Sequence, residues 1–106
     1  MGKIDYTIEL EVYEGTGCDL HQAGERFQYP EDMGRLCPWL ADNVNSMIRV
    51  LQFGGELPWK YQGTPYEKEK SPDLTTEFVR CPDPTTNGIV VKITRKAVEP
   101  REVGWC

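Results

Sequence analysis

From Lys3 to Val12 the chain alternates without a slip. Ile4, Tyr6, Ile8, Leu10 and Val12 fall on one side, and Lys3, Asp5, Thr7, Glu9 and Glu11 on the other. Successive side chains of a strand point to opposite faces, so this alternation predicts a half-buried strand. Gly15-Thr16-Gly17 breaks it, and Arg26-Phe27-Gln28-Tyr29 predicts a short second strand that returns beside the first. The period then changes. Leu40, Val44, Met47, Ile48 and Leu51 recur at helical spacing, while Asp42, Asn43, Asn45, Arg49 and Gln52 take the wet side. This predicts a helix from Trp39 to Phe53. It begins near Cys37, with Pro38 in a first turn that needs no amide hydrogen, and Gly54-Gly55 stops it.

Beyond the helix, Leu57-Pro58-Trp59 leads into residues 60–73, which hold Gly63, Pro65, Pro72 and the run Glu67-Lys68-Glu69-Lys70. So little apolar surface predicts a solvent loop, mobile in isolation. Thr75 to Arg80 and Ile89 to Val98 complete the pattern as strands, the latter with Ile89, Val91 and Ile93 on one face. Pro82-Asp83-Pro84 and Asn87-Gly88 supply the turn between them. The order ββαββ most simply builds an α+β domain: one mainly antiparallel sheet of four strands with the single helix packed across one face.

Length adds one constraint, because 106 residues make a single domain (1–106) with one modest core. Lys+Arg 12 against Asp+Glu 17, a net charge of -5, disfavours nucleic acid and anionic membrane surfaces, and no basic run is interleaved with aromatics. The opening residues carry no apolar signal stretch and no spanning segment follows, so the expectation is a cytoplasmic protein. Tyr6 stands where a myristoylation signal wants Ser or Thr, and Gly104-Trp105-Cys106 is not a prenylation box. In a reducing compartment the four cysteines read as thiols, metal ligands or redox groups before they read as disulfides.

Several short motifs punctuate this frame: Cys18-Asp19-Leu20-His21 with Gly24-Glu25-Arg26-Phe27, then Leu36-Cys37-Pro38-Trp39, Gly54-Gly55-Glu56-Leu57-Pro58-Trp59, and Cys81-Pro82-Asp83-Pro84. In these the chain resembles a family of short proteins of about this size from anaerobic bacteria and archaea, a family without an assigned function. Its pattern is C-x-x-G-H-K-x-G-D-x-F, G-x-C, L-x-x-G-G-x-x-P-W and C-P-D-P before a V-V-F-x-I-x-R strand. The matching residues are Cys18, His21, Gly24, Glu25 and Phe27; Cys37; Leu51, Gly54, Gly55, Pro58 and Trp59; and Cys81 to Pro84 with Val90, Val91, Ile93 and Arg95. The chain departs from the family in a Cys18-to-His21 interval one residue shorter, in Gln22 where lysine is usual, and in the additional Trp105-Cys106.

Three cysteines and a histidine, Cys18, Cys37, Cys81 and His21, all fall near element ends. They are the ligand types of tetrahedral zinc or of an iron-sulfur cluster. No C-x-x-C pair is present, so closing such a site requires the fold to gather three distant segments at one edge of the sheet. Taken alone, His21 reads as a loop residue satisfied by a backbone carbonyl, and Cys18 and Cys81 as small pocket fillers. Cys37 differs, because a thiol at a helix N-terminus feels the positive end of the helix dipole. Against its reactivity stand Pro38, which removes an amide, and the lack of a general base nearby in sequence.

Trp39 reads as a plug at the rim of the core. Trp59, after Pro58, folds back over the helix end or projects outward, and Trp39, Pro58 and Trp59 are the candidates for a protein interface. Gly54-Gly55 follows a helix, so it is a helix stop and not a phosphate loop. No nucleotide motif and no Ser/His/Asp arrangement is present, and nothing in sequence distinguishes Asp19, Glu25 or Asp83 from solvated turn residues. The leading expectation is therefore a small accessory or interaction protein whose Cys/His cluster binds a metal ion or cluster and which docks to a larger partner or forms a homodimer. The alternatives are a thiol enzyme or redox protein using Cys37, and a metal-free structural or binding module.

Overall fold

The computed structural model describes residues 5–15, 21–71, 73–82 and 89–98. Strands β1 (Asp5–Glu14), β2 (Arg26–Tyr29), β3 (Leu74–Arg80) and β4 (Val90–Val98) form one sheet in the order β2-β1-β4-β3. Every neighbouring pair is antiparallel. One helix, α1 (Pro38–Gln52), packs on it, preceded by a short 3-10 turn at Met33–Arg35. The predicted α+β fold with its ββαββ order is the fold of this chain. The predicted positions Lys3, Ile4, Thr16, Gly17, Asp83, Pro84, Asn87 and Gly88 lie outside the described residues.

The alternation in β1 accounts for the layering. Leu10 pairs with Phe27 on one side and Ile93 on the other, and Val12 pairs with Val91, so the apolar positions of three strands share one face. Leu40, Val44, Ile48 and Leu51 of α1 close over that face, each 0% exposed. Each such side chain removed from water contributes on the order of 1.5–3 kcal/mol, enough for one helix to hold one sheet face. The opposite face carries Glu9, Glu11, Lys92, Thr94 and Lys96. Ile89 is buried with the core, although β4 begins one residue after it, and its carbonyl accepts the Cys81 N–H at 2.8 Å.

The helix ends as two glycines dictate. Gly54 takes φ +88 and donates its N–H to Leu51 O, while the Gly55 N–H reaches back to Val50 O at 2.8 Å. That is the paired closure of a left-handed helix terminus. A Cβ on Gly55 would meet Val50 O at 3.0 Å. The sheet adds donors at the same end: the buried Arg95 guanidinium of β4 donates to Leu51 O at 2.9 Å, Gly55 O at 2.8 Å and Thr75 Oγ1 at 3.0 Å, and lies 4.4 Å over the Tyr6 ring.

Composition misled at one point in residues 60–73. The described part of this segment forms no helix and only an isolated bridge, Lys70 to Thr75, but it is not all in solvent. Lys68 is buried, its ammonium 2.7 Å from the buried Glu77 carboxylate of β3. The Thr76 N–H donates to Glu69 O, and Glu69 N–H to Thr76 Oγ1, each at 2.9 Å. The segment thereby covers the outer edge of β3, where unpaired backbone groups would otherwise face water. A charge run is legible as solvated only until the fold supplies a buried partner for one member.

Candidate functional site

The antiparallel sheet sets the geometry of its ends. β1 and β3 finish, and β2 and β4 begin, at the same end, so the loop holding His21, the Cys81 segment and the first turn of α1 converge there. His21 makes the link. Its imidazole is buried, and its Nε2 accepts the backbone N–H of Cys37 at 3.0 Å. An accepting Nε2 carries no proton, so in the neutral ring the hydrogen sits on Nδ1, which donates to Glu25 Oε1 at 3.1 Å. The same oxygen accepts the Gln22 N–H at 3.0 Å. These bonds, the Gln22 amide first and the His21 side chain second, hold the Glu25 carboxyl below its usual range.

Phe27 of β2 supports the ring edge-on, centroids 5.5 Å apart at 88°, and the Arg35 guanidinium lies 5.0 Å over the other aromatic group, the Phe27 ring. The loop is tied to β1 by Gly24 N–H to Val12 O and Val12 N–H to Glu25 O, both 2.8 Å. Gly24 takes φ +98 in that turn. The carboxylate, the imidazole and the helix start are thus placed by sheet pairing on one side and by helix packing on the other.

Cys37 is the N-cap residue of α1, half-buried, and its carbonyl accepts the Ala41 N–H at 2.8 Å as the first helical bond. The residue makes no side-chain cap bond of its own, and the imidazole of His21 occupies one of the amides that a helix start leaves unpaired. Three readings of the sequence change here. His21 meets a backbone amide and a carboxylate instead of a carbonyl. Cys37, which has no base near it in sequence, has the His21 imidazole at its own backbone. Glu25 is likewise more than a solvated turn residue.

Cys81 lies at the same end of the sheet, buried within the hydrophobic core, and Cys37 and Cys81 are both free thiols. Cys18, Asp19, Trp105 and Cys106 lie outside the described residues. Among the described residues no group of three or more His, Cys, Asp and Glu side chains is arranged to hold a metal ion. Trp39 is 55% exposed and so does not plug the core rim, and Trp59 is 57% exposed. A tryptophan at the second position of a helix points to solvent when the buried stripe starts at the third, which here is Leu40. No helix among the described residues is long and apolar enough to cross a membrane.

Compared with protein-family models, with curated proteins and with solved structures, the chain matches none of them.

Proposed function

We propose that this domain is a small thiol protein whose working group is Cys37, with His21 as the proton acceptor once its Nε2 leaves the Cys37 amide, and Glu25 holding His21 in the tautomer that keeps that nitrogen free of a proton. The observation that carries the reading is the Glu25–His21–Cys37 series at the first turn of α1. A thiolate is the nucleophilic form of cysteine, and both a helix N-terminus and an adjacent base favour it. The reaction class is attack of that thiolate on a small electrophile or a disulfide. The reading takes the protein to work in a reducing cytoplasm, with the outward Trp39 and Trp59 available to a partner or a second copy.

The test is the rate of Cys37 alkylation by iodoacetamide against pH, with Cys18, Cys81 and Cys106 quantified separately by mass spectrometry. His21→Gln retains an acceptor for the Cys37 amide but no base. It should slow the reaction at neutral pH by about ten-fold or more. A wild-type Cys37 that reacts like an ordinary free thiol, unchanged in His21→Gln, would sink the proposal.

One observation favours a second reading, in which zinc or an iron-sulfur cluster is bound by Cys18, Cys37, Cys81 and His21. A carboxylate on the far nitrogen of an imidazole is the outer-shell arrangement that orients histidine ligands. In that reading Nε2 leaves the Cys37 amide for the metal. Elemental analysis of anaerobically purified protein distinguishes the two, since stoichiometric zinc or iron lost in Cys37→Ser and Cys81→Ser would select the metal centre.

A further inference from the structure

On the sheet face away from α1, between segment 60–71 and the strands, lies a cavity of about 240 Å³ lined by Tyr61, Thr64, Tyr66, Phe78, Arg80 and Val90. Phe78 and Arg80 of β3 pair with Lys92 and Val90 of β4, on the opposite side of the sheet from the core residues that α1 covers. The cavity is therefore separate from the Cys37 centre and independent of its reading.

Its walls are aromatic and held from several directions. The Tyr66 and Phe78 rings meet edge-on with centroids 5.7 Å apart, and Tyr13 backs Phe78 at 5.0 Å. The Tyr13 hydroxyl donates to Pro65 O at 2.8 Å and the Tyr66 hydroxyl donates to Glu14, so two phenols tie the segment down over β1. Tyr61 stands at the rim, 48% exposed, with a left-handed backbone at φ +56. A residue other than glycine keeps that conformation only where its surroundings enforce it. Here a turn does so, in which Thr64 Oγ1 donates to Tyr61 O at 2.7 Å.

Among the described residues one charged side chain lines the cavity, Arg80. Glu14, which accepts the hydrogen bond of the Tyr66 hydroxyl, is not part of that lining. A cation entering the cavity therefore meets a like charge with no carboxylate in the wall to offset it. The volume lies just below that of ordinary drug-sized pockets, about 300–1,000 Å³, and limits the occupant to a small molecule.

We propose that this cavity is a binding site for a planar aromatic molecule of one or two rings that carries no positive charge. Ring edges and faces of Tyr61, Tyr66 and Phe78 supply the stacking, and Arg80 excludes cations.

The full chain, labelled for NMR, is titrated with indole, with benzylammonium as a cationic aromatic and cyclohexanol as a non-aromatic control. Indole should give saturable shifts at Tyr61, Thr64, Phe78 and Val90. Benzylammonium and cyclohexanol should bind about ten-fold more weakly or not at all. Tyr61→Asn removes a half-exposed ring while keeping a residue type that tolerates the left-handed backbone, and should weaken indole about three- to ten-fold. Phe78→Leu should do the same, with spectral dispersion confirming that each variant is folded. Absence of saturable shifts up to the solubility of indole, or shifts confined to Trp39 and Trp59, overturns the site. Benzylammonium or cyclohexanol binding as tightly as indole overturns the ligand class, and an unchanged affinity in folded Tyr61→Asn overturns the placement.

Discussion

Arg95→Met is the sharpest test of how the helix is attached to the sheet. The guanidinium is 6% exposed and makes three hydrogen bonds of 2.8 to 3.0 Å, two of them to carbonyls at the end of α1. Methionine fills a similar volume but leaves Gly55 O and Thr75 Oγ1 without that donor, and Leu51 O with the Gly54 N–H in its place. A buried acceptor stripped of its partner costs about 1–3 kcal/mol. Removing the charge returns part of its desolvation cost, which is several kcal/mol for a buried ion. Two opposed effects of this size leave a net loss of about 3 kcal/mol, close to 15 °C in Tm at roughly 5 °C per kcal/mol for a domain of this length. Arg95→Lys keeps the charge but cannot span three acceptors, and should lose about half as much. Urea unfolding followed by circular dichroism measures the loss, and amide exchange at Gly54 and Gly55 locates it. A loss in Arg95→Met below about 1 kcal/mol, with exchange at the glycines unchanged, would mean that desolvation cancels the bonds and that the glycine closure alone secures the helix end.

The buried pair Lys68 and Glu77 separates a similar balance. Lys68→Met strands the Glu77 carboxylate and should cost about 3–5 kcal/mol by urea unfolding, whereas Lys68→Met with Glu77→Leu should return to within about 1 kcal/mol of wild type; a harmless Lys68→Met would show that the ammonium is not held in the interior. Glu25 tests the electrostatics of the His21 site through pH. Its folded carboxyl is lowered below the usual 4.5, so the stability it contributes is present above that value and is lost as pH falls from 4.5 through the folded value. In Glu25→Gln that part of the acid-range slope should vanish, as read from unfolding midpoints at successive pH values; an unchanged slope would refute the interaction with Gln22 and His21.

The fold was legible because its main signals are local. The alternation through β1 and the stripe Leu40, Val44, Ile48 and Leu51 each name a buried face without reference to any other segment, and all four of those helix positions are 0% exposed. Double glycine as a helix stop is equally local. The charged residues escaped because burial of a lysine depends on a partner nine residues away, on the strand it has yet to meet. Neither the Glu67-Lys68-Glu69-Lys70 run nor Glu77 carries a mark of that pairing, since the same residues in water would read identically. The Arg95 guanidinium is the same case over a longer distance: an arginine in the middle of an apolar strand announces a buried acceptor, but not that the acceptor is the far end of a helix.

The site divides along the same line. That His21 and Cys37 matter together follows from a hydrogen bond across sixteen residues, and only the antiparallel return of β2 and the approach of α1 make it. Glu25 could have been noticed, because it stands four residues after the one histidine and beside a glycine that turns the chain back onto β1. A His and Glu at that spacing outside a helix meet only if the intervening residues turn, and Gly24 is the residue that permits it. The consequence for mechanism is specific. A residue-type inventory sees ligands in Cys18, His21, Cys37 and Cys81 and counts donors. The hydrogen bonds around His21 instead assign each nitrogen a role, one donating to a carboxylate and one accepting at a helix start. An imidazole held in that way is fixed in one tautomer, with its unprotonated nitrogen at the Cys37 amide.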